Sequence, residues 1–182
     1  MYQNLKTFKV PKGFRGKSKI IVQLWWIVQG TLFRLSPQFI YSWRRLLLRL
    51  FGAKIGKNVL IRSTVKILYP WNLTIGDWSW IGDDVILYNM AIIKIGGNCV
   101  VSQKSYLCTG SHDHTKHSFD IFSEPIEIKD EVWVASDVFI AHGVTIGTGA
   151  VVGFRSTVIK DLPPKMICYG NPAKAIKPRQ TK

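Results

Sequence analysis

With 182 residues and a 47% apolar share, the chain can bury one good core, and no part of it needs to be read as disordered. Its formal charge is +14, yet all eleven acids lie between Asp77 and Asp161, so the first 76 residues carry fourteen Lys/Arg and no acid. That asymmetry asks for a negatively charged neighbour: a membrane surface, a phosphorylated substrate or nucleic acid. Three widely spaced cysteines, Cys99, Cys108 and Cys168, do not suggest a disulfide framework and fit a reducing cytoplasm.

Met1–Lys19 is polar and basic, unlike a secretion signal. Ile20–Phe33 is apolar for about 14 residues with Gln23 and Gln29 inside it, short of the roughly 20 that span a bilayer. It predicts a buried or interfacial helix. Ser36-Pro37 followed by Phe39, Ile40, Trp43, Leu46, Leu47, Leu50 and Phe51 predicts a second, amphipathic helix, with Pro37 at its first position and Gly52 as its stop. Arg44, Arg45 and Arg49 give this helix a basic side, and Trp25, Trp26 and Trp43 are aromatic anchors. Two readings of residues 1–53 stay open. The helices pack on one end of the following domain or on a neighbouring subunit, or they lie on an anionic inner-membrane face.

From Ile55 a six-residue period takes over. Ile55, Ile61 and Ile67 are followed by Ile75, Ile81 and Leu87, then Ile95, Val101 and Leu107, and then Ile128, Val134, Ile140, Ile146, Val152 and Val158. Ile, Leu and Val make up 50 of the 182 residues, so fifteen aliphatic hits in phase are not chance. The residue after the aliphatic is often small (Gly56, Gly76, Gly82, Gly96, Gly147, Gly153), which suggests a tight bend where glycine turns freely. Each break in register follows three hexads: eight residues from Ile67 to Ile75, eight from Leu87 to Ile95, and twenty-one from Leu107 to Ile128. A coil with three faces explains this, all insertions leaving from one corner and the longest, 113–126, projecting as an arm. The expected organisation is a basic segment at 1–53, a triangular prism at 54–164 and a C-terminal tail at 165–182.

Residues 55–177 resemble the left-handed parallel β-helix, hexapeptide-repeat acyltransferases. The resemblance rests on the hexads, on Cys108-Thr109-Gly110-Ser111-His112 at the root of the arm, and on Lys160-Asp161-Leu162-Pro163-Pro164 with Gly170-Asn171-Pro172-Ala173-Lys174. Val10-Pro11-Lys12-Gly13-Phe14-Arg15-Gly16, Gln23-Leu24-Trp25-Trp26 and Leu50-Phe51-Gly52-Ala53-Lys54-Ile55-Gly56 extend it to the colanic-acid biosynthesis acetyltransferases. The resemblance implies transfer of acetyl from acetyl-CoA to a sugar hydroxyl in exopolysaccharide synthesis, directly and without an acetylated enzyme. It also implies a homotrimer with acetyl-CoA between adjacent prisms.

A neutral histidine suits removal of a hydroxyl proton, and His112 matches the family's catalytic histidine. Position by position, Ser136, Phe154, Ile159, Lys160, Lys174 and Lys177 fall where relatives contact CoA, the lysines as point charges for its phosphates. Tyr88, Asn89 and His114 are candidates for touching the acceptor. His142 lies on a bend and Trp133 on a coil face, with no role assigned. His112, His114 and His117 raise the alternative of a γ-carbonic anhydrase-like metal site, but no histidine precedes His112 as that family's spacing requires, so no metal is expected. A catalytically silent scaffold is the other alternative. No nucleic-acid module is present, and nucleic acid is not expected as a partner. The chain is expected to be cytoplasmic, with peripheral contact to the inner membrane as the open question.

Overall fold

The computed structural model describes residues 2–180. The repeats wind into a left-handed β-solenoid of about six coils, as the hexads predict. Sheet A stacks β1 (Lys54–Ile55), β4 (Leu73–Ile75), β7 (Ile93–Ile95), β12 (Ile126–Ile128) and β15 (Thr145–Ile146), all parallel. Sheet B stacks β2 (Leu60–Ile61), β5 (Trp80–Ile81), β8 (Val100–Val101), β13 (Trp133–Val134), β16 (Val151–Val152) and β18 (Met166–Gly170). Sheet C stacks β3 (Lys66–Ile67), β6 (Ile86–Tyr88), β9 (Tyr106–Cys108), β14 (Phe139–Ile140) and β17 (Thr157–Val158). All fifteen repeat aliphatics are buried in one axial core. Every extra residue between hexads leaves at the corner between sheets C and A. There β9 gives way to a hairpin, β10 (Gly110–His112) and β11 (Ile121–Ser123), before Ile126 rejoins the stack beside Ile93.

The glycines do a different job from the one the sequence suggests. The left-handed residues stand three places after the aliphatic and are mostly not glycine: Asn58, Trp78, Asp84, Asn98, Lys104, Glu131, Asp137 and Arg155. The glycine directly after the aliphatic lies where one coil rides over the next. A Cβ on Gly76 would stand 2.5 Å from the Gly97 nitrogen, and one on Gly82 would stand 2.7 Å from that of Gln103. These positions are small because backbones cross there, not because the chain needs a positive φ.

Adjacent coils are hydrogen-bonded in both directions: Gly56 N donates to Ile75 O, Gly76 N to Ile95 O and Gly96 N to Ile128 O, all 2.8 Å, while Trp78 N donates back to Lys57 O and Asn98 N to Asp77 O at 2.9 and 2.8 Å. The carbonyls on the free side of the first coil have no coil to accept from. An open rim of this kind templates pairing unless it is covered. The N-terminal helices α1 (Lys19–Val28) and α2 (Tyr41–Leu50) cover it. Arg49 donates to Ile55 O (2.7 Å) and Gly56 O (2.9 Å), Arg45 to Val59 O (2.9 Å), Arg44 to Ile61 O (2.6 Å) and the Trp25 indole to Ile67 O (2.8 Å). Gln29 Oε1 accepts from Ile67 N at 2.6 Å. The arginines read as a basic side, and Trp25 read as an anchor, therefore serve the prism end, and Trp25 and Arg44 are fully buried.

Helix α2 starts four residues after Pro37. The carbonyls of Pro37 and Gln38 and the Ser36 hydroxyl turn inward onto the Arg44 guanidinium at 2.6–2.9 Å, and this holds the segment off a helical path. Its end is as expected, at Gly52 with φ +92°. Helix α1 continues as one wide turn over Gln29–Phe33, and no helix among the described residues is long and apolar enough to cross a membrane. Residues 166–178 form a hairpin, with β18 beside β16 and β19 (Ala173–Pro178) antiparallel to it. The extreme ends of the segments 1–53 and 165–182 (residues 1 and 181–182) lie outside the described residues.

Candidate active site

The arm is fastened at its root by packing that excludes larger side chains. Thr109 is buried, its hydroxyl donating to Tyr88 O and accepting from Ala91 N, both at 2.9 Å. A Cβ on Gly110 would meet Met90 Sδ at 2.6 Å. The far turn is closed by Asp113, whose Oδ1 accepts from the Thr115 amide (3.0 Å) and hydroxyl (2.5 Å), and by Lys116, which lies 3.2 Å from Asp120. The Thr115 hydroxyl, and then its backbone N–H, hold the Asp113 carboxyl below the usual carboxylate range.

This hairpin fixes His112. Its ring stacks on Phe119 with centroids 4.3 Å apart and planes 7° from parallel, and Phe8 lies against it at 5.6 Å. Nδ1 is 2.8 Å from the Phe119 carbonyl oxygen. A carbonyl only accepts, so Nδ1 carries a proton, and in the neutral ring the lone pair is on Nε2. Among the described residues Nε2 has no partner. His112 lines a cleft of about 770 Å³ together with Ser111, His114, Phe122 and His142, and with Lys9 and Pro11 from the N-terminal segment. Across it, His142 Nδ1 lies 2.8 Å from Glu124 Oε2, and its ring meets Phe122 edge-on at 5.0 Å.

Residues 2–17 run as a strap from the arm to the helical cap. The Asn4 amide donates to His117 O (2.7 Å), Phe8 covers His112, and Arg15 O accepts from the Trp71 indole (2.9 Å). Sequence reasoning missed Phe8, Lys9, Phe119 and Glu124, and left His142 without a role. Turn-forming Pro11, Gly13 and Gly16 were the available signal for a segment that follows a surface instead of forming a helix.

Of the acceptor candidates, His114 lines the cleft, whereas Tyr88 sits on the outer face of sheet C beside the arm root, edge-on to Tyr106 at 6.2 Å. Burial, and then Cys108, push its hydroxyl pKa up. Asn89 is corrected: it is fully buried, with Oδ1 accepting from Tyr69 N (2.9 Å) and Nδ2 donating to Tyr69 O (2.6 Å). Both ends of its amide are used inside the prism, which leaves nothing to offer an acceptor. The cofactor candidates fall at two corners. Ser136 and Phe154 occupy successive coils at the corner between sheets B and C, while Ile159 and Lys160 share the C–A corner with His142. Lys174 and Lys177 lie exposed on β19. Among the described residues no three His, Cys, Asp or Glu side chains converge as a metal site.

No family model matches the chain. A protein of Escherichia coli K12 named as a colanic acid biosynthesis acetyltransferase, WcaF, is 61% identical over 177 residues, covering 97% of both chains. The chain belongs to the hexapeptide-repeat acetyltransferases. The galactoside O-acetyltransferase of Escherichia coli K12 is 31% identical to this acetyltransferase over 137 residues, covering 74% of this chain and 68% of the relative. A solved galactoside acetyltransferase in complex with coenzyme A superposes with a TM-score of 0.81 at 25% identity, covering 93% of this chain and 84% of that one. The acetyltransferase is an acetyl-CoA-dependent enzyme, and acetyl-CoA is its co-substrate.

Proposed function

We propose that this acetyltransferase O-acetylates a sugar in colanic-acid-like exopolysaccharide synthesis, with His112 as general base. The carrying observation is the 2.8 Å contact of Nδ1 with the Phe119 carbonyl, which leaves Nε2 as a base in the cleft. The acceptor hydroxyl oxygen attacks the thioester carbonyl carbon while its proton passes to Nε2. As the C–S bond breaks, the imidazolium returns that proton to the leaving thiolate, so no acetyl group rests on the protein.

The exposed apolar Phe154 and Ile159, Ser136 and the ammonium groups of Lys160, Lys174 and Lys177 suit a ligand with an apolar arm and phosphates. Their separation onto two corners favours a groove between prisms, one copy supplying Ser136 and Phe154 and its neighbour Ile159 and Lys160. This supports a homotrimer with three such grooves. His114 is assigned to the acceptor side with His142. A lipid-linked saccharide is the proposed acceptor, met at the inner-membrane surface through residues 1–53, with the enzyme on the cytoplasmic side.

The test is calorimetry of acetyl-CoA binding to wild type and His112→Ala, with CoA thiol release measured on the corresponding saccharide. Equal binding with turnover lowered about 10²–10⁴-fold is expected. Turnover within tenfold of wild type would remove His112 from the base role.

A further inference from the structure

The helical cap has an inner side that serves the first coil and an outer side that serves nothing in the chain. We propose that this outer face is a docking surface for an anionic lipid bilayer. This deepens the membrane contact proposed above and rests on that reading.

Ile20, Leu24 and Ile27 form one stripe on α1, and Trp43, Leu46 and Leu50 form another on α2. Leu35 and Phe39 between them are 78% and 80% exposed, and Leu32, Leu35, Ile40 and Trp43 border an apolar hollow of about 450 Å³. An exposed apolar surface of this extent marks an interaction site. Direction narrows the partner. Because α1 and α2 lie across the first strands of all three sheets, their outer side points along the prism axis. A neighbour packed side by side along the prism would not cover it. Three parallel prisms would bring three such faces into one plane.

Charge narrows it again. Arg44, Arg45 and Arg49 are committed to backbone carbonyls, but Lys17, Lys19 and Arg34, at the two ends of the first helical stretch, are in no ion pair among the described residues. With no acid before Asp77, the cap meets its partner as apolar side chains flanked by unpaired cations. That pairing matches an anionic bilayer, which offers both an apolar interior and a negative surface. A nucleic acid would leave the leucines and Phe39 without a partner.

The placement also scales the acceptor. His112 sits two coils beyond the cap, which at ~4.8 Å per coil plus a helix about 10 Å across puts it roughly 20 Å from the surface along the axis. The strap of residues 2–17 covers that same interval. A lipid-linked acceptor must therefore carry its sugar well clear of the headgroup layer to reach His112.

The experiment is sedimentation of the full chain with vesicles of phosphatidylcholine alone or mixed with phosphatidylglycerol. Binding to the mixed vesicles alone, weakening as salt rises, is expected. Lys19→Gln and Arg34→Gln should each weaken it about fivefold, and Leu35→Glu with Phe39→Glu should lower it at least tenfold. All are exposed, and acetyl-CoA binding should be retained. His112→Ala should sediment like wild type, so failure of the catalytic reading and failure of this one are told apart. Wild type left in the supernatant at low salt would overturn the proposal. So would a Leu35→Glu, Phe39→Glu variant whose mass in light scattering falls while its vesicle binding persists, since the face would then join copies of this chain.

Discussion

Replacing Arg44 by methionine measures how much the prism depends on its cap. Arg44 is fully buried with no carboxylate partner among the described residues, and it donates to Ile61 O (2.6 Å), Ser36 Oγ (2.8 Å), Pro37 O (2.9 Å) and Gln38 O (2.6 Å). Burial lowers its pKa, so part of its contribution is cancelled by the cost of holding a cation away from water. Each charge-assisted bond is worth about 1.5–3 kcal/mol, and burial of the uncompensated charge takes back several kcal/mol. Methionine relieves that cost and fills most of the volume, but it leaves Ile61 O without its donor on the rim of the solenoid. The balance is a loss of about 3 kcal/mol, with Arg44→Lys in between because one ammonium cannot reach all four oxygens. Urea unfolding reads the change as a midpoint shift at unchanged slope. Acetyl-CoA binding by the folded variant should match wild type. A shift under about 0.5 kcal/mol, which is ordinary for a surface change, would refute the idea that the carbonyl rim needs these donors.

Gly76→Ala should cost about 3 kcal/mol because its Cβ meets backbone on the next coil at 2.5–2.6 Å, while Gly30→Ala, with nothing within 4 Å, should stabilise by up to about 1 kcal/mol; thermal melts of both distinguish crossing from bending. The lowered Asp113 carboxyl supports the arm turn above the usual carboxylate range, and that support is lost as pH falls through its depressed value. The Thr115 amide resonance should follow this acid transition and should cease to do so in Asp113→Asn. Phe8→Ala should lower kcat about tenfold by loosening the His112 ring while leaving the KM for acetyl-CoA within twofold, and a raised KM with kcat unchanged would instead place Phe8 in acetyl-CoA binding.

The solenoid was legible because the period is enforced by one requirement repeated along the axis, an aliphatic pointing inward from every strand. The corner was legible too, since β10–β11 can leave only where strands do not stack. What escaped was long-range and polar. Nothing in Arg44, Arg45 or Arg49 as letters separates a membrane-facing guanidinium from one that meets a backbone carbonyl. The Asn89 amide looks like any polar residue near the candidate histidine until Tyr69 is seen to occupy both its ends. Phe8 and His112 lie 104 residues apart in sequence, so no local pattern joins them. His112 itself was legible through a motif, whereas its tautomer, the part that matters chemically, comes from Phe119 O.

A stack of parallel coils is open at both ends, each leaving a strand edge of alternating N–H and C=O groups without a partner coil. Without a stopper, the head of one such prism is the complement of the tail of another. Contacts of that kind do not close on themselves and propagate as fibres. Arg44, Arg45, Arg49 and Trp25 occupy the carbonyls of the first coil's edge, so they keep this acetyltransferase from stacking end to end into a fibre.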